Sequence, residues 1–272
     1  MKLRVRARVS RYLSLALGRL ASLSPRLGFF FSDALARLWT ITSRRPTRAE
    51  LRALFPSLTA ADSGRVLRRF WVSHARTLLL GGWIRRDGIA PIRMLVRPND
   101  AIARLHAPMI IGTFHIGPTL GLGTLSERLQ GETLVLRGTQ FPLDRATRQN
   151  VNLIEGTDQQ RAATFHRAVE RLRDNGFVIM ALDPNEAHRI AVSFLGGTLH
   201  LARGAFAMAR VARVPIVPLV ARWDGDAIEL IVGDPLPVSN DEQALATSAA
   251  QWLEGYLRES PGEMSYRILE LM

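Results

Sequence analysis

The stretch Met109-Ile-Ile-Gly-Thr-Phe-His-Ile-Gly-Pro-Thr-Leu120 decides how the rest of the chain is interpreted. Its first half is a mostly apolar run rich in isoleucine, which predicts a buried strand. The run ends at His115-Ile-Gly117, where the glycine favours a turn. A histidine just past a strand end lies at the edge where open α/β sheets bind their ligands. His115 is therefore the first candidate functional residue.

Strands and helices alternate from this stretch to the C-terminus. Strands are predicted at residues 109–114, 133–137, 177–182, 216–222 and 227–232. Helices are predicted at residues 119–129, 143–150, 159–173, 201–211 and 241–257. This alternation predicts an α/β fold with a mixed, largely parallel sheet flanked by helices.

The N-terminal segment has a different character, because arginines alternate there with Leu, Val and Phe. Arg19, Asp33 and Arg37 interrupt its apolar stretches before they reach the ~18 uncharged residues of a membrane-spanning helix. Arginine, Phe and Trp together suit a membrane interface. We therefore expect residues 1–45 to form an amphipathic helical membrane anchor and residues 46–272 to form the α/β domain. The alternative is a helical hairpin packed on that domain.

The composition narrows the possible partners. The chain has 272 residues, a formal net charge of +12 and no cysteine, so disulfides, thiolate nucleophiles and Cys-ligated metals are excluded. The charge favours phosphate, anionic lipid, nucleic acid or an acidic carrier protein. The sequence has no zinc pattern, base-reading basic helix or aromatic RNA-binding strand, so nucleic acid is not expected. No His/carboxylate cluster has ligand spacing, so no metal is expected either.

Polar residues at two other strand ends are further candidates. Arg137 ends one predicted strand and Arg148 follows it. An arginine there can hold a phosphate or polarise an oxyanion. The alternative is that both arginines are solvated surface charges. Asp183 ends another predicted strand, with Glu186 just beyond it. Asp183 could order the site loop or face His115, or it could cap a turn.

These blocks, taken in order with the one around Gly196, resemble the lysophospholipid acyltransferase superfamily, and most closely its lipid A lauroyl/myristoyl acyltransferase branch. In that family a strand leads into His-x4-Asp/Glu, where the histidine is the general base and the acid orients it. This chain keeps the strand and His115 but has Leu120 in place of the acid. Asp183 or Glu186 could supply the missing carboxylate, and Asp183 is the leading candidate.

The resemblance implies transfer of a fatty acyl chain from acyl carrier protein or coenzyme A to a hydroxyl or amine of a lipid or amphipathic acceptor. It implies no cofactor, and a peripheral position on the cytoplasmic face of the bacterial inner membrane. The expected catalytic residues are His115 and Asp183. The residues expected to bind substrate are Gly117, Arg137, Arg148, Glu186, Gly196 and Gly197.

Three alternatives to this mechanism remain open. His115 could act without an acid partner. The protein could be a non-catalytic relative that binds an acyl or lipid ligand, which Leu120 favours. It could also be an ester hydrolase with Ser126 or Ser193 as nucleophile. That alternative is disfavoured because neither serine lies in a Gly-x-Ser-x-Gly motif.

Overall fold

The N-terminal part of the protein is helical. The structure, a computed structural model, describes residues 2–43, 45–137, 151–153, 158–183 and 188–272. The helices that precede the sheet are α1 (Lys2–Leu23), α2 (Pro25–Thr42), α3 (Arg48–Leu54), α4 (Ala60–Asp87), α5 (Ala90–Leu95) and α6 (Asp100–Ala103). Thr47 and Glu50 form the capping box that starts α3, as the sequence Thr-x-x-Glu predicts.

The remainder alternates strands with helices. The strands are β1 (Met109–Thr113), β2 (Thr133–Arg137), β3 (Val151–Leu153), β4 (Phe177–Ala181), β5 (Arg189–Phe194), β6 (Gly197–Ala202), β7 (Ile216–Asp224) and β8 (Ala227–Val232). The α-helices among and after them are α7 (Leu125–Arg128), α8 (Asp158–Arg173), α9 (Arg203–Ala212), α10 (Glu242–Glu259) and α11 (Tyr266–Leu271). Short 3-10 helices lie at Thr119–Thr124 and Pro261–Glu263.

Six strands form the main sheet in the order β3-β2-β4-β1-β7-β8. The strands from β3 to β7 are parallel, and β8 runs antiparallel to β7. Thr113 pairs with Ala181 on one side and with Leu219 on the other, so β1 and β4 end at the same level while β7 continues beyond them. The predicted α/β fold with a mixed, largely parallel sheet flanked by helices is confirmed.

The central strands are apolar throughout because both faces of the sheet are covered. Every residue of β1 is buried. Ile110 belongs to one core, which also contains Phe206 of α9, and Ile111 belongs to the other, which also contains Leu80 of α4. A strand buried on both faces has no polar side, so the sequence shows a continuous apolar run rather than an alternating one.

Helices α1 and α2 form a hairpin that packs on α4. A side chain on Gly18 or Gly82 would collide with the backbone of the facing helix, and the Ser14 hydroxyl donates a 2.8 Å hydrogen bond to the Leu78 carbonyl. The segment therefore has the packed-hairpin arrangement that the sequence left open. Within the described ranges, no helix has both the length and the apolar composition needed to cross a bilayer. Membrane association remains a prediction.

Two predicted helices differ from the structure, and one hairpin and the short strand β3 were not predicted. The helix predicted at residues 119–129 is a 3-10 helix followed by α7, and Gly121 and Gly123 lower the α-helical propensity there. The helix predicted at residues 201–211 starts later, since its first residues belong to β6. The β5–β6 hairpin was missed, although buried and exposed residues alternate along β5. The helix predicted at residues 143–150 lies outside the described residues.

Candidate active site

The topology of the sheet places Asp183 next to His115. Strands β1 and β4 are parallel neighbours that end at paired residues, and each candidate lies two residues beyond its strand. The backbone N–H of His115 donates to both carboxylate oxygens of Asp183, at 3.2 Å and 3.0 Å. The two chain segments are therefore joined by hydrogen bonds at the carboxyl edge of the sheet, where a ligand site is expected.

The two side chains also contact each other. His115 Nδ1 lies 2.8 Å from Asp183 Oδ1, and the Asp183 side chain is fully buried while that of His115 is 48% exposed. A carboxylate accepts a hydrogen bond from a ring N–H, so this contact suits the tautomer with the proton on Nδ1. The lone pair that can accept a proton is then on Nε2. A histidine oriented in this way by a buried carboxylate can act as a general base.

The backbone of Asp183 is held by the C-terminal helix. Arg267 of α11 donates from Nε and Nη2 to the Asp183 carbonyl oxygen, both at 3.2 Å. This double contact fixes the turn that follows β4 and so helps to fix the carboxylate against His115. Sequence reasoning did not find Arg267, because one arginine on a short helix far along the chain carries no signal of this contact.

Leu120 occupies the position at which lysophospholipid acyltransferases have the acid of the His-x4-Asp/Glu motif. It lies in the 3-10 helix after His115, where it is partly buried and packs on the same core as Leu80. Its Cδ1 atom would lie 3.7 Å from a Cβ added to Gly81 of α4. The position is therefore one of apolar packing against α4, and a carboxylate that contacts His115 comes from the turn after β4 instead.

Position 117 requires glycine for structural reasons. Its φ of +58° lies in the left-handed region, and an added Cβ would collide with the Ala221 carbonyl of β7. The same Cβ would lie 3.3 Å from Glu263 Oε2. The turn after His115 thus packs directly against β7 and beside a second carboxylate. A contact of Gly117 with substrate stays a prediction.

Glu263 is that second carboxylate, and sequence reasoning missed it. Its buried side chain accepts hydrogen bonds from Arg69 Nε at 3.0 Å and from the Ser73 hydroxyl at 3.3 Å, both on α4. Burial raises the pKa of Glu263 above its ordinary value, and the Arg69 guanidinium offsets part of that rise. Glu263 comes from a polar stretch near the C-terminus that shows no periodicity, so its burial could not be expected from the sequence.

The glycines at Gly196 and Gly197 belong to the β5–β6 hairpin. Phe194 pairs with Gly197 across a two-residue turn, and both turn residues, Leu195 and Gly196, have positive φ values of 47° and 77°. A two-residue hairpin turn of this kind favours glycine for conformational reasons alone. The turn therefore explains Gly196 without a close approach of this backbone to a ligand, and the binding roles predicted for Gly196 and Gly197 stay predictions.

The remaining predicted substrate-binding residues are arginines and an acid. Arg137 ends β2, which is separated from β1 by β4, so its backbone lies at the same edge of the sheet as His115. Arg148 and Glu186 lie outside the described residues. The structure thus brings together His115 and Asp183, and the binding roles of the others stay predictions.

The serines of the hydrolase alternative are not placed as nucleophiles. Ser193 lies within β5, paired with Thr198 in the hairpin, and Ser126 lies on the short helix α7. The nucleophilic serine of an α/β hydrolase instead occupies a sharp turn between a strand and a helix. The structure gives neither serine that position.

Comparison with known proteins finds similarity to solved structures but not to known sequences. No family model matches the chain, and no curated protein sequence matches it significantly. The fold is similar to the crystal structure of the 1-acyl-sn-glycerophosphate (LPA) acyltransferase PlsC from Thermotoga maritima, with a TM-score of 0.47 and 12% identity. The similarity covers 94% of this chain and 99% of that one. A similarity at this level is too low to transfer a function.

Proposed function

We propose that the protein is an acyltransferase that moves a fatty acyl chain from an acyl carrier protein or coenzyme A thioester to a hydroxyl or amine of a lipid or amphipathic acceptor. The observation that carries the proposal is the 2.8 Å contact between His115 Nδ1 and the buried Asp183 carboxylate. It supplies the orienting acid that Leu120 cannot provide. The ordered sequence blocks that resemble lysophospholipid acyltransferases support the reaction type.

The proposed reaction needs one proton acceptor and no cofactor. His115 Nε2 takes the proton from the acceptor as its oxygen or nitrogen attacks the thioester carbonyl carbon. The Asp183 carboxylate stabilises the imidazolium that forms. The tetrahedral intermediate then collapses, the carbon–sulfur bond breaks, and the leaving thiolate takes the proton from the imidazolium. The enzyme returns to its starting state with an ester or amide and a free thiol as products.

An acyl-transfer assay of His115→Ala tests this proposal. Acyl carrier protein and coenzyme A thioesters are offered with a panel of lipid acceptors, and loss of the base should lower the rate by ~10²–10⁴-fold. His166→Ala is a matched control, because His166 also contacts a carboxylate, that of Glu170 at 3.3 Å, but on the exposed surface of α8. Full activity of His115→Ala would refute the mechanism. Tight acyl-ligand binding by a wild type without turnover would favour the non-catalytic alternative.

We also propose that α2 rests on the anionic lipid surface of the cytoplasmic face of the bacterial inner membrane. The helix buries one face against the domain and leaves an apolar stripe at helical spacing exposed to solvent. The members of this stripe are Leu27, Phe30, Phe31, Leu38 and Ile41. Exposed arginines, Arg26 and Arg37, lie on the same helix, as lipid phosphates would require.

Vesicle binding of surface variants tests the membrane proposal without truncating the packed hairpin. Phe30→Ser with Ile41→Ser removes two apolar side chains that are 66% and 84% exposed. Partitioning to phosphatidylglycerol vesicles should fall roughly tenfold or more, since burial of each side chain is favourable. Met94→Ser with Val238→Ser is the control, because these two are also exposed but lie outside the hairpin. Equal partitioning of the two double variants would contradict the proposal.

A further inference from the structure

A pocket of about 320 Å³ lies beside the candidate active site, between α4 and the β7–β8 turn. Arg65, Arg68, Arg69 and Arg76 of α4 line one wall, and Trp223 of β7 lies on the opposite wall. Glu263, which contacts Arg69, also belongs to the lining. Glu263 also lies next to the Gly117 turn, so the pocket shares the carboxyl edge of the sheet with His115.

The arginine wall follows from the helical repeat of α4. Residues three, four and eleven positions after Arg65 fall on the same side of a helix as Arg65 itself. Like charges at these short spacings repel, which destabilises a helix. A chain that concentrates positive charge on one helix face, and builds a pocket over it, has a surface suited to an anion.

Two of the four arginines are committed to fixed partners. Arg76 donates from Nε and Nη2 to the two carboxylate oxygens of Asp33, both at 2.8 Å, and it also pairs with Asp226 at 3.1 Å. Arg69 donates to Glu263, whose burial disfavours a full negative charge on that partner. These contacts hold Arg69 and Arg76 in place in the pocket lining.

Arg65 and Arg68 are available to a ligand. Arg65 pairs with Asp62 at the exposed surface of α4, where such a pair contributes little to stability. Arg68 is exposed and makes no ion pair with any residue in the described part of the chain. Asp224, an acidic residue of the opposite wall, is already held by Arg97. Positive charge therefore remains uncompensated at the pocket mouth.

Trp223 gives an independent sign that an acceptor is missing. Its side chain is 5% exposed and lines the pocket, and its indole Nε1–H has no hydrogen-bond partner among the described residues. A buried donor without a partner is costly, and an unseen ion or ligand is one explanation for such a group. An oxygen-rich anion is a ligand that suits both the arginines and this donor.

We propose that this pocket binds the phosphate group of a ligand, with Arg65 and Arg68 as the principal contacts. Guanidinium groups match phosphate oxygens with paired hydrogen bonds, and the pocket volume also leaves room for a small group attached to the phosphate. The phosphate could belong to a lipid headgroup or to a soluble compound. Neither source requires acyl transfer, so the inference does not depend on the proposed function.

Calorimetric titration of the full chain at constant ionic strength tests the inference. The probes are inorganic phosphate, a short-chain phosphatidic acid below its micelle concentration, and vesicles that contain phosphatidic acid. Arg65→Gln with Arg68→Gln should weaken binding by about tenfold or more, because charge-assisted hydrogen bonds are lost. Arg85→Gln with Arg86→Gln is the matched control. It removes the same charge from exposed positions of the same helix, and Arg86 also has an acidic neighbour, Asp87.

The pattern across probes identifies the source of the phosphate. A selective loss for inorganic phosphate supports a soluble compound, and a selective loss for the lipid probes alone supports a headgroup. An equal loss in both double variants, or no loss in Arg65→Gln with Arg68→Gln, would overturn the inference. If that variant unfolds, Arg68→Gln alone replaces it, because Arg68 makes no described ion pair that its loss could break.

Discussion

Two buried carboxylates lie beside the turn at Gly117, and each contacts a different kind of basic side chain. Asp183 and Glu263 both have fully buried side chains. Each contacts a basic side chain that is about half exposed, His115 at 48% and Arg69 at 54%. The burial of the two pairs is thus nearly the same, and their chemistry is set by the exposed partner.

The difference between the two basic side chains suits one pair to proton transfer and the other pair to anion binding. Histidine has an ordinary pKa near 6.5, so it can take up and release a proton close to neutral pH, whereas arginine stays charged. The His115–Asp183 pair is therefore suited to a base that acts on a reacting group. The Arg69–Glu263 pair holds a permanent cation in a fixed position, which is suited to an anionic ligand.

The largest expected effect is on the rate of acyl transfer by Asp183→Asn. The amide cannot stabilise the imidazolium, so kcat should fall roughly 10³-fold. His115→Ala with Asp183→Asn should be little worse than either change alone, because the two residues act as one unit. The same assay on Glu170→Gln provides the control, since Glu170 contacts His166 on an exposed helix. Wild-type kcat in Asp183→Asn would show that the two carboxylate pairs do not differ in the way proposed.

The second prediction concerns the stability conferred by Glu263. A carboxyl whose pKa is raised by folding holds its proton more tightly in the folded chain. Its contribution to stability is complete below the ordinary pKa of 4.5 and is lost as pH rises through the raised value. The free energy of unfolding of wild type should therefore fall with rising pH relative to Glu263→Gln. The fall is about 1.4 kcal/mol for each unit of pKa shift.

Urea unfolding of the two proteins, in steps upward from pH 4.5, measures this difference. The comparison cancels the titration of groups that both proteins share. Glu170→Gln provides the reference for the same replacement at an exposed position on α8. A difference between wild type and Glu263→Gln that stays constant with pH would mean that burial does not control the Glu263 carboxyl.

The proximity of His115 and Asp183 could be predicted from the sequence, because it follows from the topology of the sheet. Parallel strands that are buried on both faces stand out as apolar runs, and their carboxyl ends meet at one edge of the sheet. His115 and Asp183 each follow such a run, so their proximity follows from the pairing of β1 with β4. Arg137 ends a parallel strand of the same sheet, so its backbone lies at this edge as well.

The second pair could not be predicted in this way. Arg69 lies on α4 and Glu263 on a 3-10 helix almost two hundred positions later, and their contact depends on how α10 returns the chain to α4. A single charged residue in a polar segment looks the same whether it is solvated or buried. The turn at Leu195 and Gly196 was missed for a related reason. Its residues indicate a hairpin only when β5 is already known to be a strand.

The smallest expected effect is that of removing the contact between Arg267 and the Asp183 backbone. This change tests whether the contact is needed, in addition to the one with His115, to position the carboxylate. Arg267→Gln removes the two 3.2 Å hydrogen bonds to the Asp183 carbonyl, each of modest strength. We expect kcat to fall by about three- to tenfold with KM unchanged, because the carboxylate is less well positioned in the transition state while substrate binding is intact. Arg267→Lys should recover part of the rate, since an ammonium group can still donate to the carbonyl.

Arg258→Gln is the control, because Arg258 is a half-exposed arginine of α10 that pairs with Glu254 four residues earlier. A lower melting temperature with unchanged kcat in Arg267→Gln would show that α11 only stabilises the fold, and the His115–Asp183 pair would then be positioned by β1 and β4 alone.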